Sequence, residues 1–338
     1  MQVSNRFVRF QWIVLILIFL VVFAGSFVRM SGSGMGCPDW PKCFGKWIPP
    51  TEIAELPSDY QEAYLLKRQK KVEKFCAFLN KLGLATTAQK ILNDPTVYVE
   101  EAFNARKTWT EYINRLAGFL AGNAMLFSFG WLILFYRKRK WLVLAGLNLV
   151  LMGLEAWFGS IVVATNLVPW TITVHLLLAL VIIGIQLYLL HEMRAKKTEN
   201  LPQQKAFHFL SWLILGITFY QMFLGTQVRE AIDALVKKGY TRADWIEQLG
   251  LPFFIHRSFS WLVLILLSYL FWKNRSEWKY QRINVAFYLL AAELFSGVAL
   301  AYADMPGLVQ TAHLVFASIL LAVLLLIRYD YAAAKKNP

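Results

Sequence analysis

The chain has 338 residues, 57% of them hydrophobic, a formal net charge of +14 and a mean hydropathy of +0.45. That hydropathy excludes a soluble domain and leaves an all-α integral membrane protein. The basic residues gather in short loops between apolar stretches, which is a topological signal, so nucleic-acid binding is set aside.

Eight apolar stretches follow in order: 10–28, 109–135, 141–164, 170–190, 206–228, 252–272, 284–303 and 307–327. Each is long enough to cross a hydrocarbon core of ~30 Å as a helix. The first has no small-residue cleavage site and is read as a retained helix, not a signal peptide. Between the first and second lies a long outer segment, about 30–108, with a helix expected between Ser58 and Leu84. The loop 230–251 is expected to form a helical cap.

Arg6 and Arg9 precede the first span. The loops after spans two, four and six carry Arg137 to Lys140; Arg194, Lys196, Lys197 and Lys205; and Lys273, Arg275, Lys279 and Arg282. The tail adds Arg328, Lys335 and Lys336, whereas the loops after spans three and seven carry no Lys or Arg. Both termini are therefore expected on the cytoplasmic side.

Polar residues inside these spans repeat. Glu111-Tyr-Ile-Asn114-Arg115 and Thr173-Val-His175 in one half match Phe253-Phe-Ile-His256-Arg257 and Thr311-Ala-His313 in the other. Asn114 and His175 are 61 residues apart, and His256 and His313 are 57 apart. Glu155 and Glu293 each precede their histidine by 20 residues, and Gly159 and Gly297 each by 16. Gly25-Ser-Phe-Val-Arg29 matches Gly225-Thr-Gln-Val-Arg229. The protein is read as two copies of a four-span unit related by a pseudo-twofold along the membrane normal. The halves are 1–200, with the long outer segment, and 201–338.

Imidazole at membrane depth is costly and usually functional. A duplicated set reads as axial ligation of haem iron, with one site per half. Each candidate lies about 6–9 Å below the outer end of its span, which puts both sites in the outer half of the bilayer. Arg29, Arg115, Arg229 and Arg257 are candidate partners for haem propionates. His191 and His208 break the repeat and are read as interfacial. Glu111 shares a helix face with Asn114. It is a candidate proton carrier, with pairing to Arg115 as the equally weighted structural reading. Glu155 and Glu293, being duplicated, read as structural. Cys37 and Cys43 are candidates for a local disulfide in an oxidising compartment, and Cys76 has no evident partner.

The run from Gly25 to Pro41 and the motif Glu111-Tyr-Ile-Asn-Arg115 resemble haem A synthases, as do Ile255-His-Arg257, Val174-His175 and Ala312-His313. The likeness covers all eight spans. It implies a haem-dependent oxidoreductase of the bacterial inner membrane. Such an enzyme converts haem O to haem A for cytochrome oxidase by oxidising a porphyrin methyl to a formyl. By this resemblance His256 and His313 ligate haem b, His175 binds the substrate or product haem, and Glu111 is the catalytic carboxylate. Haem O synthase would be the source of the substrate. The electron donor is not readable, and a homo-oligomer is compatible with the sequence. The family has His where this chain has Asn114, so the first site is expected to hold its haem by His175 alone or with a weak further ligand. Two other classes stand beside this reading. One is a two-haem membrane cytochrome passing electrons from quinol, which would have no use for Glu111. The other is a haem delivery protein, which would leave the haem's mass unchanged.

Overall fold

The computed structural model describes residues 3–194 and 205–336. Lys196, Lys197 and the expected boundary at 200/201 lie outside the described residues, as does the side chain of Lys336. Among the described residues there is no strand, and eight helices are long and apolar enough to cross a membrane. The α-helices among the described residues are α1 (Asn5–Met30), α2 (Tyr60–Lys81), α3 (Ala85–Leu92), α4 (Ala105–Trp131), α5 (Arg139–Ala164), α6 (Pro169–Met193), α7 (Lys205–Lys237), α8 (Arg242–Gln248), α9 (Leu251–Lys273), α10 (Gln281–Tyr302) and α11 (Gly307–Lys336). All but α2, α3 and α8 are candidate spans. The chain is an all-α integral membrane protein.

It divides into two compact units, one of Ile16–Ile182 and one of Met1–Leu15 with Ile183–Pro338. In the first, the long segment after α1 folds into a cap. Val72, Phe75, Cys76 and Leu79 of α2 pack with Ala88 and Ile91 of α3, Val97, and Ile161 of α5. Phe75 stacks on Trp170 at the start of α6, with ring centres 6.3 Å apart. Arg68 is buried in this cap. Its guanidinium donates to the carbonyls of Val97 (3.3 Å) and Val99 (3.0 Å) and pairs with Glu100 at 3.0 Å. A buried charge that is paired and hydrogen-bonded on all sides fixes register, because losing either partner strands the other. The side chain of Asn104 caps α4 by accepting from Lys107 N at 3.1 Å.

In the second unit, α7 runs unbroken to Lys237, nine residues beyond the expected span end. Ile232 and Leu235 stay buried on the face that holds Val228, and Arg229 pairs with Asp233 one turn on at 2.9 Å. Trp245 of α8, Leu249 and Met305 complete a smaller cap. Polar contacts lace the far end of this unit. Asp330 pairs with His191 (2.8 Å) and Arg282 (2.7 Å) and accepts from Tyr280, and Arg328 bonds Ser211 (2.7 Å) and His208 (3.1 Å). His191 and His208 therefore serve helix–helix contacts.

The backbone repeats beyond what the residues announce. Helix α4 ends in a π-turn, Leu132–Tyr136, followed by left-handed Arg137. Helix α9 ends in one too, Asn274–Trp278, followed by left-handed Lys279. The α5–α6 turn places Asn166 and Leu167 at φ 51° and 60°, and the α10–α11 turn places Asp304 and Met305 at 52° and 49°. Two consecutive left-handed residues with side chains are sterically costly, and the same pair recurs in both units. Helix α5 has 26 residues and α10 has 22. The difference is close to one turn, so the faces of the two helices stay in phase. It also accounts for the ligand separations of 61 and 57.

Candidate functional site

In the second unit, α9 and α11 bring His256 and His313 together. Their ring centres are 6.3 Å apart and the rings are inclined at 78°. A first-row metal bonds imidazole nitrogen at about 2 Å, so two imidazoles on opposite sides of one metal have centres roughly 6 Å apart. The pair fits axial ligation of one haem iron. No cluster of three or more His, Cys, Asp or Glu side chains forms among the described residues. Haem needs none, because the porphyrin supplies the other four nitrogens.

The surroundings select which nitrogen of His313 is left without a partner. Ser296 Oγ donates to Glu293 O at 2.8 Å and also lies 2.8 Å from His313 Nδ1. A hydroxyl has one proton, so at the second bond Nδ1–H is the donor. Glu293 Oε1 lies 3.2 Å from the same nitrogen. That arrangement leaves Nε2 of His313 free as a ligand and holds the ring in place. Nδ1 of His256 is buried with no hydrogen-bond partner. On the backbone side, Gln221 Nε2 donates to His256 O at 2.6 Å.

The first unit repeats the frame with different side chains at the candidate ligand positions. Glu155 Oε1 lies 3.1 Å from His175 Nδ1. Asn114 stands where His256 stands in the other copy, and its Oδ1 is buried without a hydrogen-bond partner. The four repeated glycines have a common role. A β-carbon would lie 3.8 Å from Asn114 Oδ1 at Gly25 and 3.1 Å from His175 Cε1 at Gly159. It would lie 3.4 Å from the rings of His256 and His313 at Gly225 and Gly297, respectively. Every candidate ligand therefore faces a glycine, which leaves the side chain room to reach a flat group.

Glu111 is buried, and its two oxygens are separately held. Oε1 pairs with Arg115, and Oε2 accepts from Cys37 N at 2.8 Å. Arg115 also donates to the carbonyls of Cys37 (2.9 Å), Asp39 (2.5 Å) and Lys42 (3.0 Å). Cys37 and Cys43 are joined, with Cα atoms 5.0 Å apart. Thr108 Oγ1 donates to Gly36 O at 2.8 Å, and Tyr112 Oη to Trp47 O at 2.6 Å. One face of α4 thus clamps the Cys37–Cys43 loop. The guanidinium of Arg115 is committed to this clamp, as Arg229 is to Gln310 (2.5 Å) and Asp233. Arg257 lies over the rings of Phe253 and Phe254, and Arg29 sits half-buried near the end of α1.

Residues 8–325 match the COX15-CtaA family, cytochrome oxidase assembly protein. The chain belongs to that family. It is 24% identical over 330 residues to a protein named heme A synthase from Wolbachia pipientis, covering 90% of this chain and 91% of that one. A heme A synthase from Brucella suis is 23% identical over 355 aligned positions, covering 94% and 90%. One from Bradyrhizobium is 25% identical over 239 residues, which is 68% of this chain and 58% of that protein's length.

The glutamates of α5 and α10 each approach the Nδ1 of a candidate ligand, at 3.1 Å and 3.2 Å. Glu155 and Gly159, like Glu293 and Gly297, are four residues apart and so share one helix face. The duplicated spacing to the histidine contained that relation. The ligand-facing role of the glycines was likewise implicit in the repeat, but only the side-chain geometry exposes it.

Proposed function

We propose that this chain is a haem A synthase, a membrane oxidoreductase that converts a porphyrin methyl of haem O to the formyl of haem A for cytochrome oxidase assembly. Family membership and near-full-length relatives named for haem A synthesis support the activity. The observation that carries the assignment of parts is the His256–His313 pair, 6.3 Å apart and faced by Gly225 and Gly297.

In this reading His256 and His313 hold haem b, which supplies one-electron transfer when bound. Glu293 and Ser296 fix the tautomer and tilt of His313. In the N-terminal half, 1–200, His175 holds the substrate haem and Glu155 orients it. Asn114 presents an amide, a poor iron ligand, where the other copy has His256, so it would hold the haem weakly or not at all. Turning a methyl into a formyl amounts in net to R–CH3 + H2O → R–CHO + 4 H+ + 4 e−, so electrons pass to a one-electron acceptor outside the chain and protons must leave. Glu111, one turn from Asn114, is the carboxylate that takes them. Arg115 and the Cys37 amide hold it in place, so its position is set before reaction. The C-terminal half, 201–338, is the electron-transfer half. The Lys/Arg distribution supports cytoplasmic termini, with both sites in the outer half of a bacterial inner membrane. Haem O arriving from a haem O synthase completes the supply.

A two-haem electron carrier would gain from imidazole at position 114 and has no use for the buried Glu111. The test is co-expression with a source of haem O, followed by mass analysis of the extracted haem. Formation of haem A by the wild type supports the assignment. Haem O recovered unchanged rejects it in favour of a carrier or delivery protein.

A further inference from the structure

The unit Ile16–Ile182 contains a cavity of ≈180 Å³ beneath the cap. Its walls are Asp39 and Trp40 of the disulfide loop, Lys67 and Lys71 of α2, and Ser160 and Val163 near the end of α5. It is several times the roughly 30 Å³ of one water. It is smaller than the ~300–1,000 Å³ of a pocket that encloses a whole ligand. Its size suits one polar arm of a larger molecule. Val163 lies one turn beyond Gly159, the residue facing His175, so the cavity wall continues the same helix face toward the end of α5.

The charge facing this space is positive. Among the described residues neither Lys67 nor Lys71 makes an ion pair; the ammonium of Lys67 lies 4.6 Å from the ring centre of Tyr64. Arg68, which also lines the cavity, is neutralised by Glu100 and turned toward the carbonyls of Val97 and Val99. The opposing carboxylate is Asp39, whose Oδ2 already accepts from Gly45 N at 2.9 Å. Two lysines against one carboxylate leave an excess cation above an apolar floor. Burial, reinforced by Arg115, pulls the ammonium pKa of Lys71 down, and Asp39 opposes this. A bound anion would offset both effects.

We infer that Lys67 and Lys71 bind a propionate carboxylate of the haem held at His175, which makes the α2 cap part of the substrate site. The inference rests on the proposed reaction site in this unit and assigns its anion-binding residues. The same cleft chemistry would accept the phosphate of an anionic lipid, and the test separates the two.

The protein is purified with its second-half haem in place and reconstituted in phosphatidylcholine nanodiscs, with and without phosphatidylglycerol. Ferric haem and its dimethyl ester are titrated in, and binding is followed by absorbance. His175→Ala identifies which increment belongs to the first-half site, and the unchanged second-half spectrum reports folding. Ferric haem is expected to bind about tenfold more weakly to the Lys67→Glu/Lys71→Glu protein, with a smaller loss for the double alanine variant. The ester is expected to bind the wild type weakly and to ignore the substitutions. Equal losses for haem and ester, or none for either, would overturn the inference while leaving the reaction site standing. A lysine effect confined to phosphatidylglycerol discs would give the cleft to lipid and overturn it as well. If the wild type shows no His175-dependent binding, the reaction site itself falls, and the inference with it.

Discussion

The two units carry the same frame and differ at a few chemical positions. Both set a glycine against each candidate ligand and place a carboxylate oxygen 3.1–3.2 Å from the Nδ1 of one histidine. Both also close their helix pairs with the same left-handed turn. On that frame one copy has His256 and Phe253, and the other has Asn114 and Glu111 at the corresponding places. The copy with Glu111 also gains the disulfide loop, the α2–α3 cap and one extra turn of α5. A scaffold that positions a flat ring can be kept while its ligands are exchanged. Two imidazoles suit an iron that only passes electrons; one imidazole, an amide and a clamped carboxylate suit a haem that is to be altered and released.

The largest effects should come from breaking the second unit's pair. His256→Ala or His313→Ala is expected to abolish its low-spin haem spectrum and to cut haem A formation more than about 100-fold. Loss of a partner behind a ligand typically costs about 10–100-fold in affinity, so Glu293→Gln should fall in that lower range. Full bis-histidine spectra in both alanine variants would remove the assignment.

Glu111 sharpens the contrast from the other side. Glu111→Ala should keep the second unit's haem yet stall conversion at haem O or a hydroxylated intermediate, read by mass analysis. It should also lower stability by about 3 kcal/mol, because Arg115 is left buried with one partner gone. Wild-type haem A levels from this variant would show that its clamp is all it does.

A smaller graded effect tests the glycines. A methyl at Gly159 meets His175 at 3.1 Å, tighter than the 3.4 Å at Gly297 against His313. Gly159→Ala should therefore perturb its haem site more than Gly297→Ala does, as measured by the haem content of each site. The reverse order would mean that the glycines do not set ligand room.

The smallest effect concerns acid and the caps. Lys46, then the Thr51 amide and hydroxyl, hold the carboxyl of Glu55 below its ordinary 4.5, at about 2. Its folded pKa is depressed, so its contribution is present above about 4.5 and is lost as pH falls toward 2. Thr241 lowers Asp244 in the other cap in the same direction. Limited proteolysis between residues 46 and 60 should rise over that window, and Glu55→Gln should be cut throughout it.

Much of this was readable from the residues alone. The eight spans follow from hydropathy, and the repeat at Glu155/Glu293 and Gly159/Gly297 already implied one helix face turned to each histidine. The rest depends on tertiary context. Asn166-Leu167 and Asp304-Met305 share no residue, yet both adopt the same turn, because the helices they join dictate it. Arg115 reads as an anion partner until the loop supplies three carbonyls and Glu111 to satisfy it. Lys67 and Lys71 come to share a cavity with the end of α5 only through the fold, which nothing in their spacing announces.

One copy is expected to fix its haem with two histidines and the other with one. The direct measurement is the absorption spectrum of the wild type with both sites filled, reduced and exposed to carbon monoxide. The expected spectrum has one low-spin bis-histidine haem and a second, high-spin haem that binds carbon monoxide, with Asn114→His turning the second low-spin and suppressing the adduct. Two low-spin haems and no carbon monoxide adduct in the wild type would contradict it.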